Sequence, residues 1–361
     1  MSIRTASVSS RREKPVLALT MGDPAGIGPE ICLRALRDPL VLEWCTPVLF
    51  GDTEVLNLVE KRIPPHARQP RRGSKNPPLR HLCEAEFEKL NRIDGPLIVN
   101  CAAIEAQKVR PGKVSAACGR AGYTYIERAI RATQAGKTDG VVTAPIHKEA
   151  LHRAGVKFPG HTEIFTALTG ARRSCMMLYS EKLTVSLVTT HIGLAAVPRK
   201  LSVRRVGDVI ELTAAAMQRL LRRRPRLGVC GLNPHAGEHG LFGNREEERF
   251  LVPAIRRARR RGLIVTGPLA PDAAFTPKVR KQFDALVTLY HDQGHIPFKM
   301  LAFDTGVNVT LGLPIVRTSV DHGTAFDIAW QGKANPASLF SALRVAAELA
   351  APGRASAAPV L

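Results

Sequence analysis

Three features of the 361-residue chain predict an α/β fold. Short β-branched runs alternate with helical patterns, which is the order of parallel strands joined by crossover helices. Two helical stretches open on a serine able to cap free amides. Hydrophobic residues make up 45% of the chain, yet no stretch approaches the roughly 18 uninterrupted apolar residues of a membrane span. That length suffices for two domains or one two-lobed unit with an ample core.

Taken in order, strands are expected at VLALT from Val16, PVLFG from Pro47, PLIV from Pro96 and GVVTA from Gly140. Further strands are expected at LTVSLV from Leu183, RLGVCG from Arg226, LIVTG from Leu263 and ALVTLY from Ala285. Helices fit at about Ser115 to Ala135, Ser202 to Arg223 and Glu246 to Arg261. Between Lys61 and Lys89 the chain holds PPHARQPRRGSKNPP and little periodicity, and reads as a surface excursion. Residues 1–14 are polar and basic without an apolar h-region, so they read as a disordered tail and not as a secretory signal.

The formal charge of +21 asks for a partner or an explanation. Its arginines are spread out, with Arg222 to Arg224 and Arg256 to Arg261 at helix ends, where cations complement the dipole. Aromatics are only 5%, too few for base-stacking platforms. A solvated surface is the first reading, an anionic small substrate the second and nucleic acid the third. Seven cysteines without a CxxC pair fit reduced, buried thiols in a cytoplasmic protein.

Three histidines each stand just past an apolar, strand-like run: VSLVTT precedes His191, LGVCGLN precedes His235 and ALVTLY precedes His291. Ligands of open α/β sheets bind beyond the carboxyl ends of the strands, where such side chains converge. Neutral imidazoles suit zinc and similar metals, and a catalytic site uses about three protein ligands. After the first strand, Met21–Glu30 holds glycines at 22, 26 and 28 and then Pro29. It is either a tight strand-to-helix turn or a ligand-binding loop, and its spacing is not that of a Rossmann motif.

The densest chemistry lies between Tyr290 and Asp327. Lys299, Asn308 and Arg317 offer two cations and an amide that could clamp a phosphate or carboxylate. Asp292 and Asp321 could orient imidazoles from behind.

At these residues the chain resembles the 4-hydroxythreonine-4-phosphate dehydrogenase family, from Val16 to about Leu349. The matching segments are GDPAGIGPE at Gly22, GHTE at Gly160, TTH at Thr189, GLNPHAGE at Gly231, YHDQG at Tyr290, GVN at Gly306 and GLPIVRTSVDHGTA at Gly312. The resemblance implies two α/β/α domains of the isocitrate and isopropylmalate dehydrogenase type, 15–145 plus 300–361 and 146–299, around a cleft. It also implies a homodimer whose active site is completed across the interface. Metal ligands would be His191, His235 and His291. His161 and Thr162 would contact substrate, with Lys299, Asn308 and Arg317 around its phosphate end. His161, Asp292 and Lys299 would serve catalysis, the proton acceptor being His161 or Asp292.

The family uses NAD or NADP and a divalent cation such as zinc, magnesium or cobalt, and oxidises a 3-hydroxyl to a ketone that then loses carbon dioxide on the way to pyridoxal phosphate. His295 departs from the biosynthetic pattern; HDQGHIP is similar to a branch acting on 4-phospho-D-threonate or 4-phospho-D-erythronate, and to aromatic cis-dihydrodiol dehydrogenases. The ranking is therefore 4-hydroxythreonine 4-phosphate, then a phosphorylated sugar acid, then a dihydrodiol. Outside this class stand a phosphate acyltransferase-like enzyme and a nucleic-acid-binding protein.

Overall fold

The computed structural model describes residues 14–65 and 79–351. The tail expected at 1–14 and the centre of the 61–89 excursion lie largely outside the described residues. The flank of that excursion corrects the expectation, since Arg80–Cys83 is an edge strand followed by helix Glu84–Glu88. One inward residue, Leu82, is all the strand buries, so the sequence carries little periodic signal there.

Among the described residues, twelve strands form one sheet. They are β1 (Val16–Thr20), β2 (Thr46–Gly51), β3 (Arg80–Cys83), β4 (Leu97–Asn100), β5 (Gly140–Thr143) and β6 (Cys175–Tyr179). The remainder are β7 (Val185–Leu187), β8 (Arg226–Cys230), β9 (Ile264–Leu269), β10 (Ala285–Thr288), β11 (Val307–Leu311) and β12 (Val316–Val320). The order across the sheet is β3-β4-β2-β1-β5-β12-β11-β6-β7-β10-β8-β9. From β3 to β12 the strands are parallel, as are those from β7 to β9. Between these runs, β11 is antiparallel to β12 and β6, and β6 to β7. The second run therefore points opposite to the first, where uniform parallel pairing was expected.

Strands buried on both faces explain the unbroken apolar runs: every residue of β5 and β10 is buried. Ser115 accepts the amide of Cys118 and starts helix Ala116–Gln134, while Ser202 accepts that of Arg205 and starts helix Val203–Leu221. The third expected helix is a π-turn, Glu247–Leu251, continuing into Val252–Arg260. Six of the seven cysteines are buried and all are free. Burial pushes the thiols of Cys45, Cys101, Cys175 and Cys230 up to about 12, so these are not nucleophiles at neutral pH. Among the described residues no helix is long and apolar enough to cross a membrane.

The register positions the site. Leu311 pairs with Cys175, Met176 with Leu187 and Leu187 with Thr288. The amino end of β12, where Arg317 sits, thus shares an edge with the carboxyl ends of β7 and β10, from which His191 and His291 emerge.

Candidate active site

Arg317 is 2% exposed and lies under helix His161–Thr169, its guanidinium carbon 5.3 Å from the Phe165 ring centroid. It donates to Thr310 Oγ1 at 2.8 Å and Thr143 Oγ1 at 2.9 Å, and its Nε has no partner. Hydroxyl groups do not neutralise a guanidinium; burial pushes its pKa down to about 9 against a favourable but separate Glu163. A cation buried without a carboxylate in contact is built to receive an anion.

Asn308 pairs in register with Ser319, two residues along each strand from Thr310 and Arg317, so it shares their face of the sheet. Its Oδ1 is buried without a partner. His161 begins the helix above, with an enclosed Nε2 that bonds to nothing. Burial, then the charges of Arg317 and Lys148, hold its pKa well below the ordinary range, so the ring is neutral. Thr162 follows in the same first turn, and its carbonyl accepts from Thr166 Oγ1 at 2.8 Å.

Lys299 is not free beside this clamp. Its Nζ lies 2.6 Å from Asp321 Oδ2 and donates to the Asp321 carbonyl at 2.9 Å. Asp321 thus pairs with a lysine and reaches an imidazole, that of His295, only through its field.

Two of the three strand-end histidines meet. The His191 and His291 ring centroids are 5.7 Å apart, with the planes tilted by 43°. Asp292 Oδ1 lies 2.7 Å from His291 Nδ1, which fixes the ring and leaves Nε2 for an ion, the arrangement common behind metal ligands. Burial, Lys148 and His291 lower the pKa of His191 more than Glu163 raises it, favouring the neutral, ligating form. His295 stacks on His291 at 3.7 Å and 8°, its Nδ1 3.0 Å from the His291 carbonyl.

His235 stands apart from these two within the chain. Its side chain is 60% exposed, 3.7 Å from Glu238 and stacked on Phe242, on a turn whose residues 235–239 all have left-handed backbone angles. Adjacency in the sheet accounts for the split: β7 and β10 are neighbours, whereas β8 lies beyond β10 and its loop is pulled back by Glu247. Among the described residues no group of three His, Cys, Asp or Glu is gathered to hold a metal ion. The donors His191 and His291 fit two positions of a divalent-cation site, and a third is lacking among the described residues.

The Met21–Glu30 segment proves to be a strand-to-helix turn. A Cβ on Gly22, whose φ is +74°, would fall 2.3 Å from the Pro145 carbonyl oxygen, and one on Gly28 2.1 Å from that of Met21. Ile27 N–H donates to Thr324 O at 3.0 Å. Close backbone approach at these two positions, rather than contact with a ligand, accounts for the glycines. Lys148 and Glu163 also act here, through their fields on His161, His191 and Arg317; Glu163 belongs to the GHTE segment, whereas no short-range motif marks Lys148.

A buried anion clamp beside paired, oriented imidazoles at a strand edge defines an α/β enzyme for small phosphorylated or carboxylated substrates. Residues 43–346 match the model of a family described as pyridoxal phosphate biosynthetic protein PdxA. The D-threonate 4-phosphate dehydrogenase of Cupriavidus necator is 46% identical over 336 residues, covering 93% of this chain and 97% of that one. The 4-hydroxythreonine-4-phosphate dehydrogenase of Desulforapulum autotrophicum is 41% identical over 339 residues, 92% and 95% of the two chains. A crystal structure of a 4-hydroxythreonine-4-phosphate dehydrogenase from Burkholderia phymatum superposes with a TM-score of 0.76 at 42% identity, covering 93% and 98%. The chain belongs to the PdxA family and is an oxidoreductase, and membership implies a nicotinamide cofactor.

Proposed function

We propose that the protein oxidises the C3 hydroxyl of a four-carbon hydroxy acid phosphorylated at C4, giving a β-keto acid that loses carbon dioxide. The observation that carries this reading is Arg317, a buried guanidinium with no carboxylate in contact among the described residues and an unpaired Nε. D-threonate 4-phosphate is the first reading, supported by His295 in HDQGHIP and by the relative at 46% identity. That order reverses the one drawn from sequence, because the comparisons add weight to the sugar-acid branch. 4-Hydroxythreonine 4-phosphate is the second, supported by relatives of that name, and would place the product on the route to pyridoxal phosphate.

Arg317, with Asn308, anchors the phosphate and so aligns a small, flexible substrate. A phosphate beside Arg317 cancels part of the positive field that depresses His161, so binding makes His161 a better acceptor for the hydroxyl proton. Asp292 holds His291 in place, and Lys299, steadied by Asp321, lies near enough to act on His295. When bound, NAD or NADP accepts the hydride, while a zinc, magnesium or cobalt ion makes the alcohol more acidic.

His191 and His291 of one chain and His235 of a second copy would hold that ion in a homodimer. Two α/β/α lobes, 15–145 plus 300–361 and 146–299, would border the cleft, as in isocitrate and isopropylmalate dehydrogenases. The reduced thiols support a cytoplasmic setting. Following NADH formation from D-threonate 4-phosphate, D-erythronate 4-phosphate and 4-hydroxythreonine 4-phosphate tests the proposal. We expect the highest kcat/KM with D-threonate 4-phosphate; absence of turnover with all three, metal supplied, refutes it.

A further inference from the structure

A groove of about 360 Å³ opens beside the carboxyl end of helix His161–Thr169 and shares no residue with the clamp or the histidines. Four arginines, Arg172, Arg173, Arg204 and Arg205, line it against a single aspartate, Asp208. Asp208 and Glu211 both engage Arg173, at 3.1 and 3.0 Å, and Asp208 approaches Arg204 only to 4.0 Å. Arg205 directs its guanidinium to main-chain carbonyls, Val188 at 2.8 Å and Ser174 at 2.7 Å, so its charge stays uncancelled. Arg172 is exposed and forms no ion pair among the described residues. Convergent like charges repel one another, and here the chain supplies too few carboxylates to offset them.

We propose that this groove is a second oxyanion site, taking the phosphate of a small phosphate ester. Its volume lies at the lower end for small-ligand pockets, its arginines match phosphate geometry, and hydroxyls of Ser174 and Ser202 line it as donors. The site also touches the substrate helix. Thr166 Oγ1 lies 3.2 Å from Ser174 Oγ and donates to the carbonyl of Thr162, the neighbour of His161. Two sources share this chemistry: the phosphates of the nicotinamide dinucleotide or a free phosphorylated metabolite.

Calorimetric titration of the full chain with inorganic pyrophosphate at low salt tests the site, in an Arg317→Met background so that the clamp does not contribute. Pyrophosphate should bind, and adding Arg172→Ala and Arg204→Ala should weaken it about tenfold or more. Both side chains are exposed and form no hydrogen bond among the described residues, and Arg204 only a 4.0 Å ion pair with Asp208, so the fold is kept. No binding in the Arg317→Met chain, or equal affinity after the two further changes, overturns the proposal. NAD titrated against Arg172→Ala/Arg204→Ala then separates the sources: weakened NAD binding assigns the groove to the cofactor, and unchanged NAD binding assigns it to a free ester. Neither reading depends on turnover, so failure of the groove and failure of the proposed reaction are distinguishable.

Discussion

Arg317 carries two opposing demands, burial that disfavours its charge and an anion that needs it. Replacing it with Met removes an uncompensated buried cation while keeping the packing under Phe165. The expected outcome is therefore an unchanged or higher melting temperature together with a KM for phosphorylated substrate raised roughly 10- to 100-fold. Equal KM values would remove it from the clamp. Asp23 makes a contrasting case. Burial raises its pKa to about 6 although its Oδ1 accepts from Ala25 N–H at 2.9 Å, and Oδ2 has no partner. An acid whose folded pKa is raised contributes stability below its unfolded value of 3.8, lost as pH rises through about 6. Asp23→Asn keeps the Oδ1 acceptor and should stabilise the protein at pH 8 by at most about 3 kcal/mol, with little effect at pH 4. Melting curves at the two pH values check this; an equal shift at both would assign the effect to something other than ionisation.

The loop that carries His235 is shaped by two buried carboxylates, Glu246 and Glu247, of which Glu247 makes the more backbone contacts next to the histidine. Glu247 Oε1 accepts from the amides of Leu232 and Asn233 at 2.8 and 2.9 Å, and Oε2 accepts from Asn233 Nδ2 at 3.0 Å. A Cβ on Gly237 would sit 2.8 Å from that oxygen, so the turn closes around it. Glu247→Ala should cost about 2–3 kcal/mol by leaving buried amides unpaired, and should lower cobalt affinity measured by the visible absorption of the bound ion, if His235 is a ligand. Retained cobalt affinity would place His235 outside the metal site. Apolar β1, β2, β5, β8 and β10 were legible in the sequence, as were both serine caps. By contrast β11 (VNVTL) and β12 (VRTSV) do not stand out in the sequence, because Asn308, Arg317 and Ser319 interrupt their apolar runs. The polarity that marks the site hides the strand that holds it. Strand β6 (CMMLY) lacks the β-branched residues used to pick the others. Arg317, His161, His191 and His291 could be read from motif position, whereas which imidazoles meet depends on strand order, which no local pattern encodes.

At the scale of the whole molecule, apolar side chains lie exposed around the His191 and His291 pair and around the His235 turn. Ile192 (39% exposed) and Leu194 (67%) follow His191, while Ile296 (57%), Met300 (81%) and Phe303 (68%) recur at helical spacing after His291. Leu241 (71%) and Phe242 (38%) flank the His235 turn. Pairing two copies so that the His235 turn of each caps the His191 and His291 pair of the other would bury both patches and complete two identical centres, as a twofold interface requires. Mixing inactive variants tests this directly. In a dimer of His191→Ala with His235→Ala, one centre draws His191 and His291 from the second chain and His235 from the first, all native, while the other centre carries both changes. Each variant alone should be inactive, and an equal mixture, after dissociation and reassociation, should recover at most about one quarter of native activity, since half the dimers are mixed and each has one good centre. A site built within single chains leaves every centre of the mixed dimer damaged, so a mixture as inactive as its components would exclude the shared arrangement.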